Sequence, residues 1–137
     1  MKRKAIFIVG PESSGSTFIA KHLNKHILNV EDWNGRGFNC CNDPQCDQLN
    51  GYIEPCREVP YLICHRSLPF GDKWPPIEEW KNTYSCKFII CTRDRTIARI
   101  SQRRRFKYKS IKELEAEREK AVSIIGKILN DKNLPTF

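Results

Sequence analysis

Residues 10–17 of this 137-residue chain read GPESSGST, with Gly10 and Gly15 five positions apart and Ser13, Ser14, Ser16 and Thr17 around them. The chemistry this pattern offers is anion binding. Glycine lets the backbone come close to a ligand, successive N–H groups can converge on one anion, and the hydroxyls add donors. The start of the helix expected to follow would add partial positive charge. A nucleoside-triphosphate loop puts lysine after its second glycine. Here that position is Ser16, which leaves open what anion such a loop would hold without the lysine. Glu12 works against anion binding unless its carboxylate points away. The same eight residues also read as an ordinary strand-to-helix turn with a serine cap.

Two further stretches carry candidate chemistry. In CTRDRTIARIS, residues 91–101, Arg93 precedes Ser101 by eight positions, and the alternative is a solvated helix face. In ICHRSLP, residues 63–69, His65 follows an apolar run and is either a proton acceptor or a structural histidine. His22 and His26 lie one helical turn apart, a spacing that can hold a metal but more often decorates a surface. The chain has seven cysteines. Cys64 and Cys91 fall in apolar runs and are expected to pack. Cys40, Cys41, Cys46, Cys56 and Cys86 are left, and only the Cys41–Cys46 pair comes near zinc-ligand spacing. No metal site is expected. Zinc, a disulfide and unmodified thiols in a polar loop remain the alternatives.

These residues need elements to position them. AIFIV at 5–9, YLIC at 61–64 and KFIIC at 87–91 read as short strands buried on both faces. A helix is expected from 15 to about 28, with Phe18, Ile19, Leu23 and Ile27 on its inner face. A short helix is expected at 77–82, after Pro75-Pro76. Another is expected at 94–106, with Ile97, Ile100 and Ala98 facing inward. The last, about 112–132, is announced by Ser110 and Glu113 as a capping box, with Ile111, Leu114, Val122, Ile125 and Leu129 as its stripe. Between the first helix and second strand, residues 30–60 show no helical or strand period. That irregular, cysteine-containing loop carries Trp33 and Phe38 as candidates to cover a substrate pocket. The order of elements predicts a single α/β domain over 1–137: three layers, a short and mostly parallel sheet with flanking helices and right-handed crossovers. Ligands in such sheets bind at the carboxyl ends of strands. The glycine loop, His65-Arg66 and Thr92-Arg93-Asp94 would all lie there and share one cleft.

Together these motifs resemble the sulfotransferase family, which uses 3′-phosphoadenosine-5′-phosphosulfate (PAPS) as sulfuryl donor and has a P-loop-like fold. Ser14-Gly15-Ser16-Thr17 matches the family's S-G-T-T segment, and Arg93-Asp94 with Ser101 matches its R-[DN]-P-x-[DE]-x-x-x-S segment. The opening VGPESSG is similar to a branch of small sulfotransferase-like proteins. The resemblance implies that Ser13, Ser14, Gly15, Ser16 and Thr17 hold the 5′-phosphosulfate. It implies that Arg93 and Ser101 grip the 3′-phosphate and that His65, at the place of the histidine in the family's T-H-L-P, is the catalytic base. PAPS would be the co-substrate, 3′,5′-adenosine bisphosphate the product, and an unknown hydroxyl or amine the acceptor. The family's lysine before S-G-T-T is Ser13 here, its second-motif proline is Arg95, and its late R-x-G-x-x-G loop is absent. The missing charge would have to come from Arg66, Lys21 or one of Arg95, Arg99 and Arg103.

Charge and composition bound the alternatives. The formal net charge is +8, and residues 93–109 hold eight basic side chains and one acid, while 112–132 balance five against five. A multiply charged anionic partner is expected: a nucleotide, an acidic acceptor or, less in keeping with the motifs, nucleic acid on RRRFKYK at 103–109. No apolar run is long enough to span a bilayer. The apolar stretch after MKRK stops at Gly10 and reads as a strand rather than a leader, so a cytoplasmic protein is expected. Two rivals stand beside the sulfotransferase reading. One is a nucleotide kinase with Arg95, Arg99 and Arg103–Arg105 as lid arginines. The other is a non-catalytic module binding nucleotide or nucleic acid.

Overall fold

The computed structural model describes residues 2–30, 33–40, 58–70 and 74–132. The chain forms β1 (Arg3–Pro11), α1 (Ser16–His22), a π-helical turn (Leu23–Ile27), β2 (Gly37–Phe38) and β3 (Leu62–Leu68). It continues through α2 (Ile77–Thr83), β4 (Tyr84–Ile90), α3 (Arg95–Arg105) and α4 (Ile111–Asn130). The four strands form one mixed sheet in the order β2-β3-β1-β4. β1 is central and parallel to both neighbours, with Ile8 opposite His65 and Phe7 opposite Phe88. β2 adds an antiparallel edge, Gly37 pairing with His65.

The alternation of β1 explains the layers. Ala5, Phe7 and Val9 join one apolar cluster with Trp80 of α2 and with Ala121, Ile125 and Ile128 of α4. Ile8 joins another with Ala20 of α1, Ile63 and Cys91. Strand side chains point to opposite faces in turn, so helices cover both faces of the sheet. Phe7 is the centre of the larger cluster: its ring stacks on Trp80 at 3.9 Å and on Phe88 at 5.3 Å. Burying one such ring is worth about 1.5–3 kcal/mol.

The strands run further than the apolar runs predict. β3 continues through His65 and Arg66 to Leu68, so His65 lies within the strand rather than beyond its end. Parallel pairing with residues 5–11 of β1 holds those polar positions in extended form.

Three expected helix faces are corrected in part, for Leu23, Ala98, Leu114 and Ile125 pack inward as expected and other members of each stripe do not. On α1 the buried residues are Ser16 and Ala20, followed by Asn24 in the π turn, while Phe18 is 70% and Ile27 62% exposed. Polar contacts override the apolar stripe here. Ser16 is bonded to His65, and Asn24 Nδ2 donates to the Val30 carbonyl at 2.7 Å. On α3, Ala98 and Gln102 face inward, and Ile97 and Ile100 are 48% and 51% exposed. On α4, Leu114, Ala121, Ile125 and Ile128 are buried, whereas Ile111, Val122 and Leu129 lie outside. The predicted cap at Ser110 matches the structure, its side chain accepting from the Glu113 N–H, and Asp94, not predicted as a cap, accepts from the N–H groups of Thr96 and Ile97.

The predicted cover residues are core residues. Trp33 and Phe38 are both buried, and Phe38 meets Phe7 edge-on at 6.2 Å. Asn39 fixes this segment: it is bonded to Asn24 Oδ1, the Tyr61 carbonyl and the Ile63 N–H at 2.9–3.0 Å. Cys64 and Cys91 are packed in the core as expected, and Cys40 and Cys86 join them. Burial pushes the Cys86 thiol up to about 11. Cys41, Cys46 and Cys56, and with them the zinc and disulfide alternatives, lie outside the described residues.

Candidate anion-binding and proton-transfer site

β1 ends at Pro11, whose carbonyl accepts the Ser14 N–H at 3.1 Å to close the loop. Ser13 takes a left-handed backbone, φ 63°, and Gly15 φ 86°. A serine held there is uncommon and marks a loop whose shape is fixed by its surroundings. The hydroxyls of Ser13 and Ser14 are buried without a protein hydrogen-bond partner, and Ser14 as a whole is 9% exposed. A buried hydroxyl left unpaired costs free energy that a ligand oxygen would recover.

The next turn reaches His65. His65 Nε2 lies 2.7 Å from Ser16 Oγ, and Nδ1 2.5 Å from the Gly35 carbonyl. A carbonyl only accepts, so Nδ1 carries the proton and Nε2 receives the Ser16 O–H. Burial holds the imidazole below its ordinary value of 6.5, against the opposing pull of the Gly35 hydrogen bond and the Glu12 charge. His65 is therefore a neutral base at pH 7 with its lone pair turned toward the loop. Gly35 is needed for this contact. Its φ is 82°, and a Cβ there would lie 2.9 Å from Lys21 Cγ and 3.1 Å from Thr17 Cγ2. Any side chain would push the segment off α1 and the carbonyl off Nδ1.

Arg93, just beyond β4, reaches the loop from the other side, with Nη1 donating to the Ser13 carbonyl at 3.4 Å. Gln102 of α3 donates to the Glu12 carbonyl at 3.0 Å. The loop is thus touched by His65 through Ser16, by Arg93 through Ser13 and by α3 through Glu12.

The single cleft expected at the strand ends is corrected to two hollows: the loop residues Glu12 and Thr17 line only the one that holds His65, and Arg93 lies in the other. One, about 270 Å³, is lined by Thr17, His65, Arg36, Arg66, Phe70 and Arg105 among others. The second, about 340 Å³, is lined by Arg93, Ser101, Ile97, Ile100, Arg104 and Arg105. Arg105 borders both, and its guanidinium pairs with Glu12 at 3.3 Å. The outward turn of Ile97 and Ile100 now has a use, because they form the apolar wall of the second hollow.

Of the residues singled out in the sequence, Ser16 and His65 are bonded, Arg93 touches Ser13, Thr17 lines the hollow with His65, and Ser101 lines the other with Arg93. Among the proposed substitutes for the loop lysine, Arg66 lines the His65 hollow. Arg95 and Arg99 are bound to Glu115 of α4 at 3.3 and 2.8 Å, and Lys21 packs beside Gly35. Sequence reasoning missed Arg36 as a lining residue, because it stands inside an irregular loop without a motif; Arg105 is singled out there only as a lid arginine of the kinase alternative and within the basic run at 103–109. The run at 103–109 is partly neutralised, since Lys109 pairs with Glu117 at 2.6 Å and Arg105 with Glu12. His22 and His26 stand on the exposed side of the helix, 4.7 Å apart between ring centres, and no cluster of three metal-binding side chains occurs among the described residues. No helix among the described residues is long and apolar enough to cross a membrane. In comparisons with known proteins, the chain matches no family model, no curated protein and no solved structure.

Proposed function

We propose that this protein is a PAPS-dependent sulfotransferase with a P-loop-like fold, moving a sulfuryl group to a hydroxyl or amine acceptor. The observation that carries the reading is the convergence on one loop. Arg93 reaches Ser13 and His65 is bonded to Ser16, although these residues come from the ends of β1 and β4 and from the middle of β3. The orphan hydroxyls of Ser13 and Ser14 fit the oxygens of a phosphosulfate. Arg93 and Ser101 would grip the 3′-phosphate, with Ile97 and Ile100 beside the nucleoside. Arg66 and Arg105, both bordering the His65 hollow, would supply the cation that the loop itself lacks.

In this reading the acceptor oxygen or nitrogen forms the new bond to sulfur as the bond between sulfur and the bridging phosphate oxygen breaks. The electron pair leaves on the phosphate, and the acceptor proton passes to His65 Nε2. Ser16 must first turn its hydroxyl from Nε2 to the donor, which exposes the base only when the nucleotide is seated. Titration with 3′,5′-adenosine bisphosphate and with ATP–Mg²⁺ tests the reading. Tighter binding of the bisphosphate, and transfer of labelled sulfate from PAPS, are the expected results. Preference for ATP–Mg²⁺ would favour a nucleotide kinase.

One observation favours a second reading, a non-catalytic nucleotide-binding module: Nε2 is capped by Ser16, and both residues are 2% exposed. Bisphosphate binding without any sulfate transfer to a broad acceptor panel would select it.

A further inference from the structure

The strand order gives the two partners of the reaction separate territories. Arg93 and Ser101 lie beyond β4, the loop follows β1, His65 stands on β3, and Arg36 immediately precedes β2 at the far edge. A nucleotide spanning Arg93 and the loop occupies the β4–β1 side. An acceptor approaching His65 is left with the β2 side. That side is strongly cationic, for among the described residues its hollow is lined by Arg36, Arg66 and Arg105 against one acidic residue, Glu12. Arg105 already pairs with Glu12, and Arg66 lies over the Phe70 ring at 4.3 Å. Arg36 makes no ion pair among the described residues, yet its backbone is fixed twice. Its N–H donates to Asn34 Oδ1 at 2.8 Å, and its carbonyl accepts the Trp33 Nε1–H at 3.1 Å. The neighbours on either side are the residues that hold His65, Gly35 through its carbonyl and Gly37 through strand pairing. A charged side chain carried on a fixed backbone next to a base, with no ion pair among the described residues, is placed to read an anion on the incoming molecule.

Resting on the sulfotransferase reading, we infer that the acceptor is a small hydroxyl compound carrying its own negative charge, and that Arg36 is the residue that selects it. At about 270 Å³ the hollow is a little smaller than the roughly 300–1,000 Å³ of drug-sized sites, so it takes one ring rather than an extended chain. Phe70, Phe106 and Pro69 give that ring apolar contact.

The test uses a matched pair of probes, 4-hydroxyphenylacetate and 4-hydroxyphenylethanol, which share a phenol and differ in the carboxylate. Each is titrated calorimetrically into the protein saturated with 3′,5′-adenosine bisphosphate. The acid is expected to bind about tenfold tighter or more, the scale of one charge-assisted hydrogen bond. Arg36→Gln should erase that preference and Arg36→Lys should keep part of it, with bisphosphate affinity unchanged in both. Equal binding of the two phenols, binding of neither, or a preference that survives Arg36→Gln would overturn the inference. So would weakened bisphosphate binding in Arg36→Gln, because the arginine would then serve the donor. If the unsubstituted protein binds no bisphosphate, the sulfuryl reading fails by itself. The same titrations without nucleotide then still decide whether Arg36 reads the carboxylate.

Discussion

Ser16 and His65 are 49 residues apart in the chain and share a 2.7 Å hydrogen bond that points the only lone pair of a neutral imidazole at the glycine loop. Replacing His65 by Gln keeps a polar side chain of similar reach and removes the base. Sulfate transfer is expected to fall about 100- to 10,000-fold, the usual worth of a general base, while bisphosphate affinity changes little. Turnover and binding measured on the same preparation check this. A matched loss of both would instead make His65 a support for the loop.

The same histidine gives the fold a pH dependence. Burial lowers its proton affinity below the ordinary 6.5. The unfolded chain therefore binds this proton more readily than the folded one between 6.5 and the lowered folded value. Stability contributed by the neutral ring is fully present above 6.5 and is lost as pH falls through that window. Thermal melts from pH 8 to pH 5 should show a falling midpoint, with a shallower slope in His65→Gln. Identical slopes in the two proteins would exclude the imidazole as the cause.

Arg93 is exposed and makes one long contact with the loop, so its removal should spare the fold. Arg93→Ala is expected to weaken 3′,5′-adenosine bisphosphate binding about 10- to 100-fold, as for a lost hydrogen bond to a charged group, with an unchanged melting temperature. Unaltered affinity would remove the second hollow from the nucleotide site.

Gly10 shows how tightly the loop is closed. A Cβ there would lie 2.5 Å from the Cys91 carbonyl oxygen and collide with Ser14 Oγ. Gly10→Ala should cost about 1–3 kcal/mol in urea unfolding, as overpacking does elsewhere, and should disturb the hydroxyl of Ser14 with it. A variant as stable as the parent would show that the loop yields more easily than its packing implies.

Asn39 is wholly buried and joins Asn24, Tyr61 and Ile63. Truncation to Ala removes the partner of a buried N–H and a buried amide oxygen, each worth about 1–3 kcal/mol, and of a part-buried carbonyl. Asn39→Ala should be among the most destabilising polar substitutions in the chain. Chemical unfolding against Gln102→Ala, which loses one loop contact, provides the scale.

The three parallel strands, the capping signal of Ser110 and the approach of Arg93 to the glycine loop were legible because they depend on local pattern and on strand order. The orientation of α1 was not. Its Phe18 and Ile27 obey a helical period, but the inner face is set by partners distant in sequence, His65 for Ser16 and Asn39 for Asn24. A π turn at Leu23–Ile27 also breaks the 3.6-residue count on which the stripe was drawn. Arg36 and Gly35 escaped notice for a related reason. Their importance lies in standing beside His65 across a two-residue strand, and nothing in a loop's composition encodes that adjacency.

β1 is locked on both flanks, while β2 hangs on one neighbour by two residues. Substitutions at the outer rim therefore disturb few ladder bonds, whereas those along the central strand disturb two ladders at once. The architecture thus tolerates change most readily at Arg36, where a replaced side chain leaves the backbone of the glycine loop undisturbed.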